Sequence, residues 1–598
     1  MSLGLIFLIA ASHVISDDKD IFSSTADLSR LLHIENNFVE QLQQMAERME
    51  RDLRVIKTFL DTNYKDYSAI NGKTYVDNPI NSLYLIRRLS LDWARSGLGK
   101  VLESNKTEQL RLSALNMTTS FPLQSDWQGA ANGIFLLQEH YDLNVTNLAS
   151  GIIEFEGSRA VSDHGLKAEE LYQIGVSTIN AGYYDTGIEW LELARQKIRA
   201  EKEKIFMTED LSAIDTRIRD AKKIHDHFLD KSGVVGAGHR CNRVPFDEKL
   251  RRKKKYKAAK KNKEKVKKPK NYYPLYEESS EILGLKVENS SKKSIRDNFE
   301  DCCNGLQLRS SDLDLGQECH HLHHNDPFNM LGPFKLEQLS SQPYITVIRQ
   351  MMTESETEHF KDYARVRLER SGHAGGNSET TSLRRTSKQT WLEHRLFNLN
   401  VTEIMEKTGA GDQNEVMRTL DDDPAWRSFF MRRRDQNITD WTAYRVSERM
   451  ERATTFSLFT PLTSESFQVA NYGLGGQYDT HLDPHGFWEG RTSNKNFQIL
   501  GDRLATIMVY LEDIQSGGAT AFPNTGLRIP VRKGDAAFWI NLRTSGFLDR
   551  LTHHGGCPVL VGSKWITNKW VGYLPQFRQW RCSREGPLAR YRPFTQYF

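Results

Sequence analysis

The chain has 598 residues, more than one compact core accommodates, so several domains are expected. Charged residues make up 26% and hydrophobic residues 38%, the composition of a soluble protein with a polar bias toward helical or linker segments beside a well-packed domain. The net charge of +4 gives no argument for a nucleic-acid partner, and after the N-terminus no uninterrupted apolar stretch reaches membrane length.

The apolar run from Leu3 to Ala11 is too short to span a bilayer. It suits the apolar region of a secretory signal over residues 1–16, with Ser16 as the small cleavage residue, although no Lys or Arg precedes it. A buried helix start is the alternative. A signal predicts a lumenal or secreted protein. Six Asn-x-Ser/Thr sequons fit that route: Asn105, Asn116, Asn144, Asn289, Asn400 and Asn437. The six cysteines have no zinc-site spacing, and an oxidising compartment permits disulfides.

Between Leu28 and Leu60, apolar residues recur at three and four: Leu31, Phe38, Leu42, Met45, Met49, Ile56 and Leu60. No Gly or Pro interrupts them, which predicts one long amphipathic helix of coiled-coil character. Its narrow stripe needs a partner helix, from this chain or from another. Helical patterning continues through Asn81–Leu102 and into the 130s. Lys167–Ala200 reads as two helices about a tight turn, matching one tetratricopeptide-type unit. Such a unit cannot bury its own face, and Met207–Leu229 supplies a further helix. Tyr172, Tyr183 and Tyr184 read as exposed rings able to form a groove for a proline-rich peptide already in polyproline II form. Ordinary packing between helices is the reading that the residues alone favour.

Lys249–Lys270 holds fourteen Lys/Arg against one acid, Glu264, and reads as a solvated linker or a binder of acidic partners. Cys319-His-His-Leu-His-His324 could hold a metal weakly; its Asn/Asp/Ser-rich surroundings favour an exposed loop. From Pro343 onward the pattern changes. Short β-type runs at Phe467–Tyr472, Leu504–Leu511, Ala536–Leu542, Pro558–Val561 and Trp565–Val571 alternate with Gly-rich turns, which predicts a sandwich or jelly roll.

The chemistry centres on Asn471-Tyr-Gly-Leu-Gly-Gly-Gln-Tyr-Asp-Thr-His481-Leu-Asp483. In a strand, His481 and Asp483 project from one face and reach one ion. Non-haem Fe(II) oxygenases use two histidines and one carboxylate, leaving the opposite face open. A second histidine comes from His553-His554-Gly-Gly. Lys564, between strand-like residues, offers a compact cation for a dicarboxylate.

The stretch from Phe467 to Cys582 resembles the catalytic domain of collagen prolyl 4-hydroxylase α subunits. The matching blocks are Gln468–Asp483, Gly501-Asp-Arg-Leu-Ala-Thr506, Gly517-Gly-Ala-Thr-Ala-Phe-Pro523 and Cys557-Pro-Val-Leu-Val-Gly-Ser-Lys-Trp565, in order and at family-like spacing. The resemblance implies His481, Asp483 and His554 as ligands of Fe(2+), with His554 selected over His553 by its distance of ten residues from Lys564. It implies Lys564 as the partner of the 2-oxoglutarate C5 carboxylate. Tyr478, Arg503 and Trp570 match active-site or peptide-binding positions, and Cys302–Cys319 and Cys557–Cys582 look like family disulfides. O2 is the co-substrate and L-ascorbate restores oxidised iron. The implied reaction hydroxylates C4 of proline in X-Pro-Gly sequences of collagen-like chains, with 2-oxoglutarate going to succinate and CO2.

The implied organisation is multidomain: an α-helical N-terminal half with a coiled-coil-like helix and a tetratricopeptide-like unit, then a double-stranded β-helix catalytic domain. The expected boundaries are a signal peptide at 1–16, a helical dimerisation and assembly domain at 17–155, a peptide-substrate-binding domain at 156–235, a basic linker at 236–330, and a catalytic domain at 331–598 with its dioxygenase core at 464–575. The family's partner is protein disulfide isomerase, the β subunit of an α2β2 tetramer in the endoplasmic reticulum lumen. No Lys-Asp-Glu-Leu-type signal ends the sequence, so lumenal residence is expected to depend on that partner. The family's second helix pair is hard to find. The basic block and about forty residues between Phe397 and Ala443 look like insertions. Two readings compete: another lumenal peptidyl hydroxylase of the same chemistry, or a catalytically weak peptide-binding subunit. The relatives acting on lysine or on proline C3 use arginine where Lys564 stands, and the complete triad argues against a silent subunit.

Overall fold

The structure is a computed structural model that describes residues 21–48, 53–64, 75–99, 108–200, 211–232, 295–306, 308–309, 317–371, 385–393, 439–458, 463–486, 501–576 and 580. The expected signal peptide, the basic block, Cys241, Cys582 and most of 397–443 lie outside them. The chain divides into two compact units, residues 1–265 and, in the main, 266–598.

The first unit is helical. Its helices are α1 (Thr25–Arg48), α2 (Leu53–Tyr64), α3 (Pro79–Arg87), α4 (Glu108–Thr118), α5 (Gln124–Tyr141), α6 (Ala168–Asn180), α7 (Tyr184–Ala200) and α8 (Leu211–Ser232), with a hairpin of β1 (Ile152–Phe155) and β2 (Ser158–Val161) before α6. The stripe read as one helix from Leu28 to Leu60 is divided between α1 and α2, which pack against each other. The chain itself supplies its partners. Phe38 meets Trp93 and Phe121 edge-on at 5.3 and 5.2 Å, and Gln41 donates to Ser113 Oγ of α4 at 2.9 Å. Beneath α1, the buried Glu35 carboxylate accepts from Arg88 through both oxygens, and Arg88 also donates to the Tyr75 hydroxyl at 3.3 Å. A buried charge pair is tolerated only when hydrogen-bonded in this way.

Helices α6 and α7 form the expected hairpin, flanked by α5 and α8. The tyrosines read as exposed are otherwise. Tyr172 and Tyr183 are buried, and only Tyr184 is half-buried. Tyr183 packs on Phe135 of α5 at 5.5 Å, and Arg217 of α8 lies 5.7 Å over the Tyr172 ring. The reason is that flanking helices close over the hairpin, as one helix pair cannot cover its own apolar face.

The second unit is a β-sandwich. One sheet has nine strands in the order β3 (Cys319–Leu322), β4 (Phe334–Ser341), β5 (Tyr344–Arg349), β14 (Ala536–Ile540), β10 (Arg503–Tyr510), β17 (Lys564–Gly572), β8 (Phe467–Tyr472), β7 (Ser387–Leu392) and β6 (Glu369–Arg370). Its pairings are antiparallel. The other sheet has four strands, β13 (Leu527–Ile529), β12 (Thr520–Phe522), β15 (His554–Gly556) and β9 (Tyr478–His481), beside a pair of β11 (Ser516–Gly517) with β16 (Val559–Val561). Ala470, Tyr472, Met508, Tyr510, Trp539 and Ile566 of the large sheet pack against Phe522, Leu527 and Ile529 of the small one.

Helices α10 (Glu354–Arg365) and α11 (Trp441–Thr454) are packed together, and α10 covers the other face of the large sheet through a 5.0 Å edge-to-face contact of Phe360 with Phe467. Covered on both faces, β8 is buried at every position, polar Gln468 and Asn471 included. The start of α10 is locally encoded: Thr353 Oγ1 accepts from the Glu356 amide, and the Glu356 carboxylate accepts from the Thr353 amide at 2.8 Å.

Two expectations change here, the loop at Cys319–His324 and the disulfide pairings. The Cys319–His324 segment is not a loop throughout: residues 319–322 form the edge strand β3, paired to β4. Among the described residues its histidines join no group able to hold a metal. Finally, α9 (Ile295–Cys303) packs on β12 and β13 and carries Cys303 to Cys557, with Cα atoms 5.6 Å apart and the disulfide formed. Cys557 is therefore not joined to Cys582, and Cys302 and Cys319 are both free rather than paired. In the vicinal pair it is Cys303, with no expected partner, that meets Cys557.

Candidate active site

His481 ends β9, and β15 pairs with β9 so that His554 lies directly opposite. Asp483 is two residues beyond the strand end, so strand alternation does not aim it as the sequence suggested. Its carboxylate is held from the large sheet instead, accepting from Thr506 Oγ1 at 2.5 Å. His481 Nε2 is 3.6 Å from Asp483 Oδ1, and His554 Nε2 is 3.7 Å from Oδ2. One ligand atom from each residue lies within 4.8 Å of the other two, the only such group among the described residues.

The donor chemistry fits a divalent cation. His481 Nδ1 faces the Asp479 carbonyl and His554 Nδ1 faces the Thr552 carbonyl, each at 2.9 Å. A carbonyl only accepts, so each Nδ1 carries the proton and each Nε2 keeps its lone pair for a metal. Burial pushes His554 down to about 4, so the ring is neutral at pH 7. Burial opposes ionisation of Asp483 too, but His554, His481 and Arg503 outweigh it and hold the carboxyl below its usual range. His553 is absent from the cavity lining, so the structure brings its neighbour to the site.

Two glycines make room around His554. A Cβ on Gly555 would sit 2.7 Å from the Phe299 ring of α9, and one on Gly556 would sit 3.3 Å from Lys564 Nζ. The His-Gly-Gly sequence thus lets a helix and a lysine approach one strand closely.

The triad opens into a cavity of ≈ 510 Å³ between the sheets. Lys564, at the start of β17, is 2% exposed and lines it, with Nζ 5.2 Å over the Tyr472 ring. Burial pushes its ammonium down to about 7, and no carboxylate pairs with it among the described residues. Tyr478 stacks on His481 at 3.7 Å and 24°. Arg503 lies 3.6 Å over the Trp570 ring and donates to the Glu465 carboxylate at 2.6 and 2.8 Å. All the expected site residues of this unit therefore border one space. The sequence reading missed Arg385, which is buried and lies 4.5 Å over Tyr478, and Thr506. Gly501–Thr506 was noticed as a block, but nothing in it marks the threonine as the carboxylate's support.

A two-sheet barrel with a His-Asp-His triad and an inward lysine defines an iron- and 2-oxoglutarate-dependent oxygenase, and residues 467–572 match the 2OG-Fe(II) oxygenase superfamily. Residues 24–155 match the prolyl 4-hydroxylase alpha-subunit, N-terminal region. The chain is 26% identical to prolyl 4-hydroxylase subunit alpha-2 of Gallus gallus, covering 95% of this chain and 96% of that one. It is 28% identical to prolyl 4-hydroxylase subunit alpha-2 of Caenorhabditis elegans, over 92% and 91%, and 27% identical to prolyl 4-hydroxylase subunit alpha-3 of Homo sapiens, over 94% and 93%. Over nearly its whole length the chain is similar to prolyl 4-hydroxylase α subunits.

Proposed function

We propose that this chain is the catalytic α subunit of a procollagen-proline 4-dioxygenase. It hydroxylates C4 of proline in X-Pro-Gly sequences of collagen-like chains, using Fe(2+), 2-oxoglutarate and O2, with L-ascorbate maintaining the iron. The observation that carries the reading is the triad of His481, Asp483 and His554 sharing one cavity with the buried Lys564, which has no carboxylate partner among the described residues.

His481, Asp483 and His554 would hold the iron. With iron bound, the chemistry supplied is oxidative decarboxylation of 2-oxoglutarate to succinate and CO2, coupled to insertion of one O2-derived oxygen into the proline C4–H bond. Lys564 would neutralise the distal carboxylate of 2-oxoglutarate, where burial strengthens the attraction. Tyr478 fixes the plane of the His481 ring by stacking. Glu465 fixes Arg503, which in turn backs the Trp570 ring; that ring offers an apolar face to proline. Trp539 and Phe522 pack around His554 at 4.7 and 5.5 Å and exclude water from that side.

The finer assignments belong to the same proposal. The chain works in the endoplasmic reticulum lumen, reached through the signal at 1–16, with glycosylation at sequons such as exposed Asn116. It assembles with protein disulfide isomerase as an α2β2 tetramer, residues 17–155 serving dimerisation and 156–235 forming a tetratricopeptide-like region for proline-rich peptide. In support, α6 and α7 form a helix hairpin with helices on either side.

The test is co-expression with protein disulfide isomerase and assay of succinate release on Pro-Pro-Gly repeats. Turnover dependent on iron, 2-oxoglutarate and peptide is expected. No turnover with all present would sink the enzyme reading, and an unchanged rate in His554→Ala would sink the ligand assignment.

A further inference from the structure

We propose that Gln389 reads the main chain of the peptide substrate, its Nε2 donating to a backbone carbonyl of the proline-rich segment in the cavity. The inference rests on the hydroxylase reading and adds a specificity-determining residue to it.

Gln389 on β7 and Gln468 on β8 both line the cavity. The register sets Gln389 beside Ala470 and Trp391 beside Gln468, so all four share the inner face of the large sheet. Arg385 Nη2 donates to Gln389 Oε1 at 2.6 Å and to Gln468 Oε1 at 3.4 Å, and Asn568 Nδ2 adds a bond to Gln468 Oε1 at 3.2 Å. A guanidinium has no acceptor. Both amides must therefore turn their oxygens toward Arg385 and their NH2 groups away from it. Among the described residues neither Nε2 makes a hydrogen bond, although the Gln468 side chain is only 4% exposed. Both nitrogens stay open to the cavity, where an incoming acceptor can reach them.

The place of these donors names that acceptor. Gln468 is paired with Asn568, four residues along β17 from Lys564, or about 13 Å at about 3.3 Å per residue. Gln389 is level with Ile566, about 7 Å along from Lys564 by the same rise. Both thus sit beyond the dicarboxylate end, on the way to the Trp391 and Trp570 rings, whose centroids are 6.0 Å apart. The charged donors nearby are committed: Arg503 to Glu465, and Arg385 to Ser387 and the two glutamines. A polyproline II segment has no internal hydrogen bonds and, being rich in proline, few N–H groups. What it brings into a cavity is unsatisfied carbonyls. Neutral amide donors satisfy those without burying a charge.

Gln389→Glu removes the Nε2 donor and keeps an oxygen for Arg385 but adds a negative charge, so it is read together with the uncharged Gln389→Leu. Steady-state succinate release would be measured for the full chain with its disulfide isomerase partner, on a short Pro-Pro-Gly repeat peptide. The peptide KM is expected to rise about tenfold, with kcat within about threefold and the 2-oxoglutarate KM within about twofold of the unmodified protein. Gln389→Leu should raise the peptide KM to a similar degree. A peptide KM within about twofold in both variants overturns the role of Gln389 and leaves the hydroxylase reading standing. A parallel rise of both KM values indicates general disturbance of the cavity and overturns it as well. Absence of turnover by the unmodified complex overturns the hydroxylase reading, and this inference with it.

Discussion

Lys564 enters β17 with an apolar shell, a tyrosine ring beneath it and no counter-charge among the described residues. Its ammonium is therefore poised to lose its proton near neutrality, at about 7. Only the protonated form attracts a carboxylate, so a ligand arriving above that pH must first restore the proton. The sign follows: the 2-oxoglutarate KM should climb as pH rises from about 6.5 to about 8.5, approaching tenfold per unit at the upper end. Lys564→Arg keeps its charge across that range and should flatten the profile, whatever its absolute affinity. A flat profile in the unmodified protein would rule out titration of this lysine. The residues of greatest consequence were readable in the sequence because they fall in short blocks: Tyr478 through Asp483 in one, His554 through Lys564 in another. Arg385 and Gln389 were not, since their role comes from the register of β7 against β8, a pairing between residues about eighty apart.

At the level of elements, what the sequence disclosed depended on how local the determinant was. Strand β8 was placed to the residue, because a run of six buried positions bounded by a Gly-rich turn leaves little choice. The stripe from Leu28 to Leu60 misled: its spacing is continuous, yet it is shared between α1 and α2, and partners such as Phe121 come from far along the chain. The disulfide misled for a related reason. The family resemblance implied Cys302 with Cys319, but helix α9 seats Phe299 against Gly555 and thereby brings Cys303 to Cys557, across 254 residues of sequence. A loop that long gives a cross-link much denatured-state entropy to remove, about 2–4 kcal/mol in ordinary cases. Cys303→Ser should accordingly lower the melting temperature by about 5–10 °C under non-reducing conditions. Peptide mapping without reduction should recover Cys303 joined to Cys557; recovery of Cys557 joined to another cysteine would refute the pairing.

Across the whole molecule the chemistry is confined to one unit. His481, Asp483, His554 and Lys564 all belong to the β-sandwich, while the match to the α-subunit N-terminal region falls in the helical unit. Each unit has its own buried charge to protect. In the helical unit it is the Glu35–Arg88 pair, where Arg88 is surrounded by Tyr64 and Tyr75 at 5.7 and 6.0 Å and cannot find another anion without unpacking α1. Glu35→Gln leaves a buried guanidinium without its counter-charge, a loss of about 3–5 kcal/mol. Because that cost falls on one core, it should be local. Hydrogen exchange followed by mass spectrometry should show amides of α1 and α3 losing protection, while those of β10 and β17 retain it, and the 2-oxoglutarate KM should stay as in the unmodified protein. Equal loss of protection in β10 and β17 would mean that the two cores unfold as one cooperative body. The experiment thus measures directly whether the helical half acts on turnover through substrate delivery and assembly, as proposed, or through the stability of the catalytic barrel itself.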